Sequence, residues 1–308
     1  MDPGNRRTVL AAMAANAGIA MAKFVGWGVT GASSMLAEGV HSLADSGNQA
    51  LLLWGSASAA KAPTTSHPFG YGRERYFWAF VVSLIIFALG SMFALYEGVH
   101  QLQHPTEIVS PIWAISILSL GLLLEGWSFR TAVVTARLIK GRQSWPKFLL
   151  RTKNPELPVV LLEDLGALLG LLVALVGVSV ASITGDTRYD AAASIFIGLL
   201  LGAIAVLLAT EMKSLLIGEA AEDEDEAAIG EAMRSHDSVR RLISLRTQHI
   251  GPDDILVCAK IEFDPQQTLA VVTDHIDSVE ADVRAVVPAA RLIYIEPDLY
   301  EPDREPRP

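Results

Sequence analysis

The stretch GVHSLADSGNQ, Gly39–Gln49, lies inside a run, Ser34–Ala60, that is otherwise apolar and long enough to cross a bilayer. Its reading decides the fold. Glu38, His41, Asp45 and Asn48 follow one another at spacings of three and four, so they share nearly one face of a helix. An ionisable side chain at membrane depth costs roughly 3 kcal/mol or more unless it meets a cavity, a partner or a metal. That face therefore needs an occupant.

Composition agrees with a membrane setting. The chain has 308 residues, 51% hydrophobic and 19% charged, which is too apolar for an ordinary soluble domain. A single cysteine, Cys258, excludes an internal disulfide framework and a multi-cysteine metal site, so any metal chemistry falls to His, Asp and Glu. The start MDPGNRR runs into a long apolar segment without a small-residue cleavage pattern, and no cleavable signal is expected.

Six spans are predicted at Val9–Thr30, Ser34–Ala60, Phe77–Leu102, Ile112–Ile139, Val159–Ile183 and Tyr189–Ser214. Lys and Arg gather before the first span and after the second and fourth, as Arg6, Arg7, Lys61, Arg73, Arg75, Lys140, Arg142, Lys147, Arg151 and Lys153. The positive-inside rule then places both termini in the cytoplasm, in a plasma or bacterial inner membrane. After Ser214 the texture changes. The acidic run GEAAEDEDEAA reads as a solvated linker and helix start. A helix at Glu226–His236, strands at Val239–Gln248 and Ile255–Phe263 and a strand at Arg291–Ile295 follow, with a helix striped by Leu269, Val272, Ile276, Val279, Val283 and Val286 before the last strand. The order αββαβ predicts a small α+β domain with a marginal core, for which dimerisation is expected. The boundaries are a six-transmembrane-helix bundle over 1–214, the α+β domain over 215–298 and a disordered, proline-rich tail over 299–308.

The fifth span adds Glu163 and Asp164, adjacent carboxylates that project about 100° apart on a helix. Two readings of His41, Asp45 and Asp164 stand side by side: a buried polar network holding helices together, and a cation site between the second and fifth spans. Lys23 is expected to snorkel to the membrane surface. Glu97 is expected to be hydrated near a boundary, and Glu125 to pair with Arg130 or line a cavity. Gly166/Gly170 and Gly198/Gly202 form G-x-x-x-G pairs suited to close helix approach.

These residues resemble the cation diffusion facilitator family of divalent-metal/proton antiporters. The resemblance rests on TGASSMLAEGVHSLADSGNQ, on HPFGYGRERYFWA (His67 to Ala79), on LLEDLGALLG and on the αββαβ tail, and covers about Arg7 to Pro297. It implies a ferredoxin-like cytoplasmic domain, a homodimer, and a transport site made by the second and fifth spans. Carried onto this chain, that site comprises His41, Asp45 and Asp164. The family's remaining position falls on Val160, so Glu163 is carried as the fourth ligand, with Asn48 or water as alternatives. Of the secondary sites, His67 matches one ligand but its partner position reads Tyr71. The cytoplasmic histidine positions fall on Ser244, Lys260 and Tyr294, with Glu296 retained. His236, His249 and His275 are expected on the surface. The implied cargo is Zn²⁺, with Fe²⁺, Co²⁺ and Cd²⁺ open, exchanged for protons by alternating access; partners are the metal ion, protons, lipid and a second copy, with no nucleic acid and no cofactor. No H-E-x-x-H or G-x-S-x-G supports an enzyme. The remaining alternative is a membrane-embedded metal sensor or scaffold.

Overall fold

The computed structural model describes the backbone of residues 3–108, 110–141 and 144–301, with side chains throughout except at 3–16, 139, 150 and 151. It divides into two compact units, one made of the chain up to Ser58 together with Arg75–Lys213, the other of Ala59–Glu74 together with the chain from Ser214 onward.

The first unit is helical. α1 (Pro3–Thr30) and α2 (Ser33–Ala59) are followed by α3 (Glu74–Ile85), which runs through a π-helical turn at Ile86–Met92 into α4 (Phe93–Gln103). α5 (Pro111–Lys140), a short α6 (Trp145–Arg151), α7 (Glu156–Thr184) and α8 (Arg188–Ile217) complete it. The α6 turn inside the second basic loop has no counterpart in the sequence reading. Phe148 of α6 is buried with Ala136 and Leu161, which fixes that loop to α5 and α7. Glycine punctuates two tight connections. Gly31 and Gly185 adopt φ of 70° and 72° and donate N–H to the carbonyls of Trp27 and Ala181, closing α1 and α7 with left-handed caps.

Among the described residues, four helices are both long and apolar enough to cross a membrane: Glu74–Gln103, Pro111–Leu138, Glu156–Thr184 and Arg188–Ile217. α1 and α2, at 28 and 27 residues, match in length. Of these two, α2 carries the polar face quoted above. The unit is turned inside out relative to a soluble protein. Trp54, Leu123, Trp127, Ile183 and Leu199 are exposed, while Lys23, Glu38, His41, Asn48 and Asp190 are buried. Apolar side chains outside and polar ones inside are what hydrocarbon solvent selects.

In the second unit α9 (Asp223–Ser235) and α10 (Leu269–Val286) pack on a three-stranded sheet ordered β1 (Arg241–Gly251), β2 (Asp254–Glu262), β3 (Leu292–Pro297). β1 and β2 form an antiparallel hairpin; β2 and β3 run parallel, joined across α10. Ile255, Val257, Ala259 and Ile261 alternate onto the covered face with Phe263, against Ile229, Met233, Val279 and Val283. The predicted α10 stripe holds in its middle and fails at its ends. Leu269 and Val286 are exposed, and Val287, just past the last turn, takes the buried place. The loop between α2 and α3 belongs to this unit through backbone contact. A Cβ at Gly72 would stand 2.7 Å from the Ile250 carbonyl oxygen and 2.9 Å from Gly251 Cα.

Candidate metal centre

The polar face of α2 is buried along its length: Glu38 and Asn48 are fully enclosed, His41 is 1% exposed and Asp45 9%. Helical geometry stacks His41 over Asp45, with Nδ1 3.5 Å from Oδ1. Both ring nitrogens of His41 and Oδ1 of Asp45 are buried, with no hydrogen-bond partner among the described residues. Buried polar atoms are rarely left in that condition, because each forfeits its hydration. An imidazole and a carboxylate one turn apart with free lone pairs form a cation-ligand pair.

α7 brings its two carboxylates to this face differently, as their 100° separation demands. Glu163 is buried, and its Oε1 accepts a 2.6 Å hydrogen bond from Asn48 Nδ2. Asp164 is half-buried and turns toward α5, where Ser128 Oγ donates to its Oδ2 at 3.3 Å. Both lie within electrostatic reach of Asp45. Val160, one turn before Asp164, is half-buried. The structure thus joins His41 to Asp45 and Glu163 to Asn48, and leaves Asp164 with Ser128. Among the described residues, no group of three or more His, Cys, Asp or Glu stands close enough to hold a metal ion together. The π turn also serves this face. A Cβ at Gly90 would lie 3.9 Å from His41 Nδ1, so a glycine in the irregular turn backs the imidazole.

Lys23 does not snorkel. It is fully buried, with Nζ 3.1 Å from Glu38 Oε2 and 2.7 Å from Ser42 Oγ. Snorkelling assumes that the nearest polar partner is the membrane surface; here a carboxylate on α2 is nearer. Glu125 of α5 is buried within electrostatic reach of Lys23, Asp45 and His41, whereas Arg130 is exposed. Glu97 is half-buried.

A further buried carboxylate escaped the sequence reading. Asp190, in the first turn of α8, accepts from Ser33 N at 2.8 Å, from Ser33 Oγ at 3.1 Å and from Ser34 Oγ. It caps the N-terminus of α2, where the methyl of Ala32 offers no acceptor. The serines at α2's start were the available signal, since paired hydroxyls there invite an acceptor. The glycine pairs act as spaced contacts. A Cβ at Gly198 would meet Leu95 N at 2.8 Å and Ser91 O at 2.9 Å, one at Gly202 would meet Ser91 Oγ at 2.8 Å, and one at Gly166 Ile204 Cδ1 at 2.9 Å; one at Gly170 would overlap the Glu38 carboxylate.

The secondary positions hold other chemistry. His67 packs against Tyr71 with the rings tilted by 34° and centroids 4.5 Å apart, in a loop where His67 is exposed. Lys260 pairs with Glu296 at 2.9 Å and Asp298 at 3.3 Å; hydrogen bonds to these two, Glu296 first, hold its ammonium above the usual lysine pKa. Ser244 faces Lys260 across the hairpin and Tyr294 faces Cys258. His236 is half-buried with Nε2 3.0 Å from Ser278 Oγ, and His275 stacks on Phe263. His249 is not on the surface. It is 3% exposed, with Nδ1 3.2 Å from the Gly251 carbonyl, because β1 runs on to Gly251 and carries His249 into the covered end of the hairpin.

Two family models match the chain: the cation efflux transmembrane domain over residues 9–217, and the cation efflux protein cytoplasmic domain over 221–298. The human "Proton-coupled zinc antiporter SLC30A9, mitochondrial" is 33% identical over 264 residues, 85% of this chain and 46% of that protein. "Metal tolerance protein C4" of Arabidopsis thaliana is 30% identical over 270 residues, 87% of this chain and 59% of that protein. "Cation-efflux pump FieF" of Pectobacterium atrosepticum is 26% identical over 300 residues, 95% of this chain and 94% of that protein. The chain spans about half the length of the SLC30A9 relatives it matches. With the transmembrane model covering well over half of it, this chain is a multi-pass membrane protein and belongs to the cation efflux, or cation diffusion facilitator, family.

Proposed function

We propose that the chain is a divalent-cation efflux carrier that exports Zn²⁺ in exchange for protons by alternating access. His41, Asp45, Asp164 and Glu163 are its ligands. The observation that carries this reading is the three ligand atoms on α2 left unpartnered among the described residues, the two His41 nitrogens and Asp45 Oδ1, buried with two carboxylates of α7 in electrostatic reach of Asp45. Among these donors the His41 imidazole favours zinc and softer ions over Mg²⁺ and Mn²⁺. Fe²⁺, Co²⁺ and Cd²⁺ compete for the same donors.

Proton coupling follows from the ligands themselves. Zinc binds the neutral imidazole and the ionised carboxylates, so loading releases protons and protonation expels the metal. Glu163 reaches the metal by giving up Asn48, and Asp164 by giving up Ser128, each exchange trading a hydrogen bond for a metal bond. The family relation supports the reading, since relatives carry the names of a proton-coupled zinc antiporter and a cation-efflux pump. The α+β domain pairs two copies, with both termini in the cytoplasm.

Reconstitution into vesicles with a pH gradient tests this. Zinc flux should follow the gradient, collapse with a proton ionophore, and disappear in Asp45→Asn and Asp164→Asn while the variants remain folded. Zinc binding without flux would favour a sensor, and undiminished flux in either variant would remove the site assignment.

A further inference from the structure

We propose that Lys23 is a resident counter-cation of the transport pathway, and that its charge, balanced by Glu38, sets how tightly the site binds a divalent ion. This rests on the transport reading above. Lys23 is the only lysine or arginine buried among the described residues. Its surroundings are built for it. Glu38 Oε2 and Ser42 Oγ accept from Nζ, and the stem passes Gly121 of α5, where a Cβ would stand 3.8 Å from Lys23 Cε. Glu38 in turn fills the notch left by Gly170 of α7. Gly170 on α7 thus leaves the room that the Glu38 half of this ion pair between α1 and α2 occupies.

Stability does not account for it. A fully desolvated ion pair regains little more than it costs, and an apolar pair of the same volume commonly does as well. What an apolar pair cannot supply is the charge. Ser42, which accepts from the ammonium, is the residue next to His41, and Glu38 lies one turn before His41 on the same face. Asp45 and Glu125 lie within electrostatic reach of Lys23. Around the candidate site stand Glu38, Asp45, Glu125, Glu163 and Asp164 as acids, against one buried base among the described residues. A divalent cation entering this set feels Lys23 as a repulsion and Glu38 as an attraction, at short range and with little water to screen either.

The two residues therefore have opposite signs. Lys23→Met leaves Glu38 uncompensated, so zinc binds about ten-fold tighter or more and leaves more slowly; apparent KM and maximal flux both fall. Glu38→Gln leaves the ammonium uncompensated, so zinc binding weakens about ten-fold or more and KM rises. The double variant Lys23→Met with Glu38→Gln removes both charges and returns the affinity to within about three-fold of the parent. A purely structural role predicts weaker binding in both single variants and recovery in the double, where both buried charges are gone; tighter binding in Lys23→Met is the outcome it does not predict.

The experiment uses the full chain, with Zn²⁺ titrated calorimetrically in detergent and initial flux measured in vesicles against zinc concentration. Shifts in opposite directions with cancellation in the double variant support the proposal. Shifts in the same direction, or no shift, in a chain that binds and carries zinc overturn it. If Lys23→Met does not fold, Lys23→Gln replaces it: tighter zinc binding supports the proposal, and unchanged or weaker binding overturns it. If the parent chain neither binds nor carries zinc, the transport reading falls first, and the proposal with it.

Discussion

Replacing Asp190 tests how α2 is held. Its carboxylate accepts the buried N–H of Ser33 at 2.8 Å, the Ser33 hydroxyl at 3.1 Å and the Ser34 hydroxyl. Asp190→Ala removes all three. The Ser33 hydroxyl retains Ser194 Oγ at 3.1 Å, so the unpaired donors are the Ser33 N–H and the Ser34 hydroxyl. All of these residues are fully buried, so water does not replace the acceptor. Two orphaned donors at roughly 1–3 kcal/mol each give a loss of about 2–6 kcal/mol. Asp190→Asn keeps one acceptor oxygen and loses the charge, and should cost about half as much. Ser33→Ala keeps the backbone N–H bond and should cost about 1 kcal/mol. Thermal unfolding of the purified chain in detergent is the assay. At about 2–4 °C per kcal/mol, Asp190→Ala should lower Tm on the order of 10 °C, with Asp190→Asn between it and Ser33→Ala. An Asp190→Ala chain melting within about 2 °C of the parent, or a reversed order, would refute the reasoning that this carboxylate caps α2.

Two other substitutions follow from the same interior. Gly170→Ala puts a methyl onto the Glu38 carboxylate, which Lys23 holds in place; Tm should fall by the equivalent of about 1–3 kcal/mol, and Glu38→Asp in the same chain should recover part of the loss. Val160→His adds an imidazole one turn before Asp164 on the same face of α7; calorimetry should show tighter zinc binding, ten-fold for each ~1.4 kcal/mol the new ligand supplies, and an unchanged isotherm would place Val160 away from the site.

Much of this could be read in the sequence because it is periodic. Spacings of three and four placed Glu38, His41, Asp45 and Asn48 on one face, and all four are buried there. Alternation placed Val257, Ala259, Ile261 and Phe263 on the covered side of the sheet, and they are. What escaped depends on partners distant along the chain. Lys23 was judged by its distance from a helix end, yet its place is decided by Glu38, fifteen residues on. Asp190 caps a helix that begins 157 residues earlier, and no local pattern announces such a bond. His249 is expected on the surface with His236 and His275, yet β1 runs on past it to Gly251 and buries it. Adjacency alone showed that Glu163 and Asp164 diverge; only the neighbours, Asn48 and Ser128, show which way each turns.

The π turn at Ile86–Met92 has a consequence for register. A π turn is an α-helix holding one residue more than its hydrogen bonds require. Wind the same residues as a regular α-helix, and everything after Met92 rotates by about 100° relative to everything before Ile86. Gly98, whose bare Cα faces the Ala191 carbonyl and Ile195, would swing away from α8, and a side chain would come round against that backbone. The surplus residue thus acts as a vernier: it lets a single helix present Gly90 to His41 at one level and Gly98 to α8 at another, two alignments that a regular α-helix could not satisfy together.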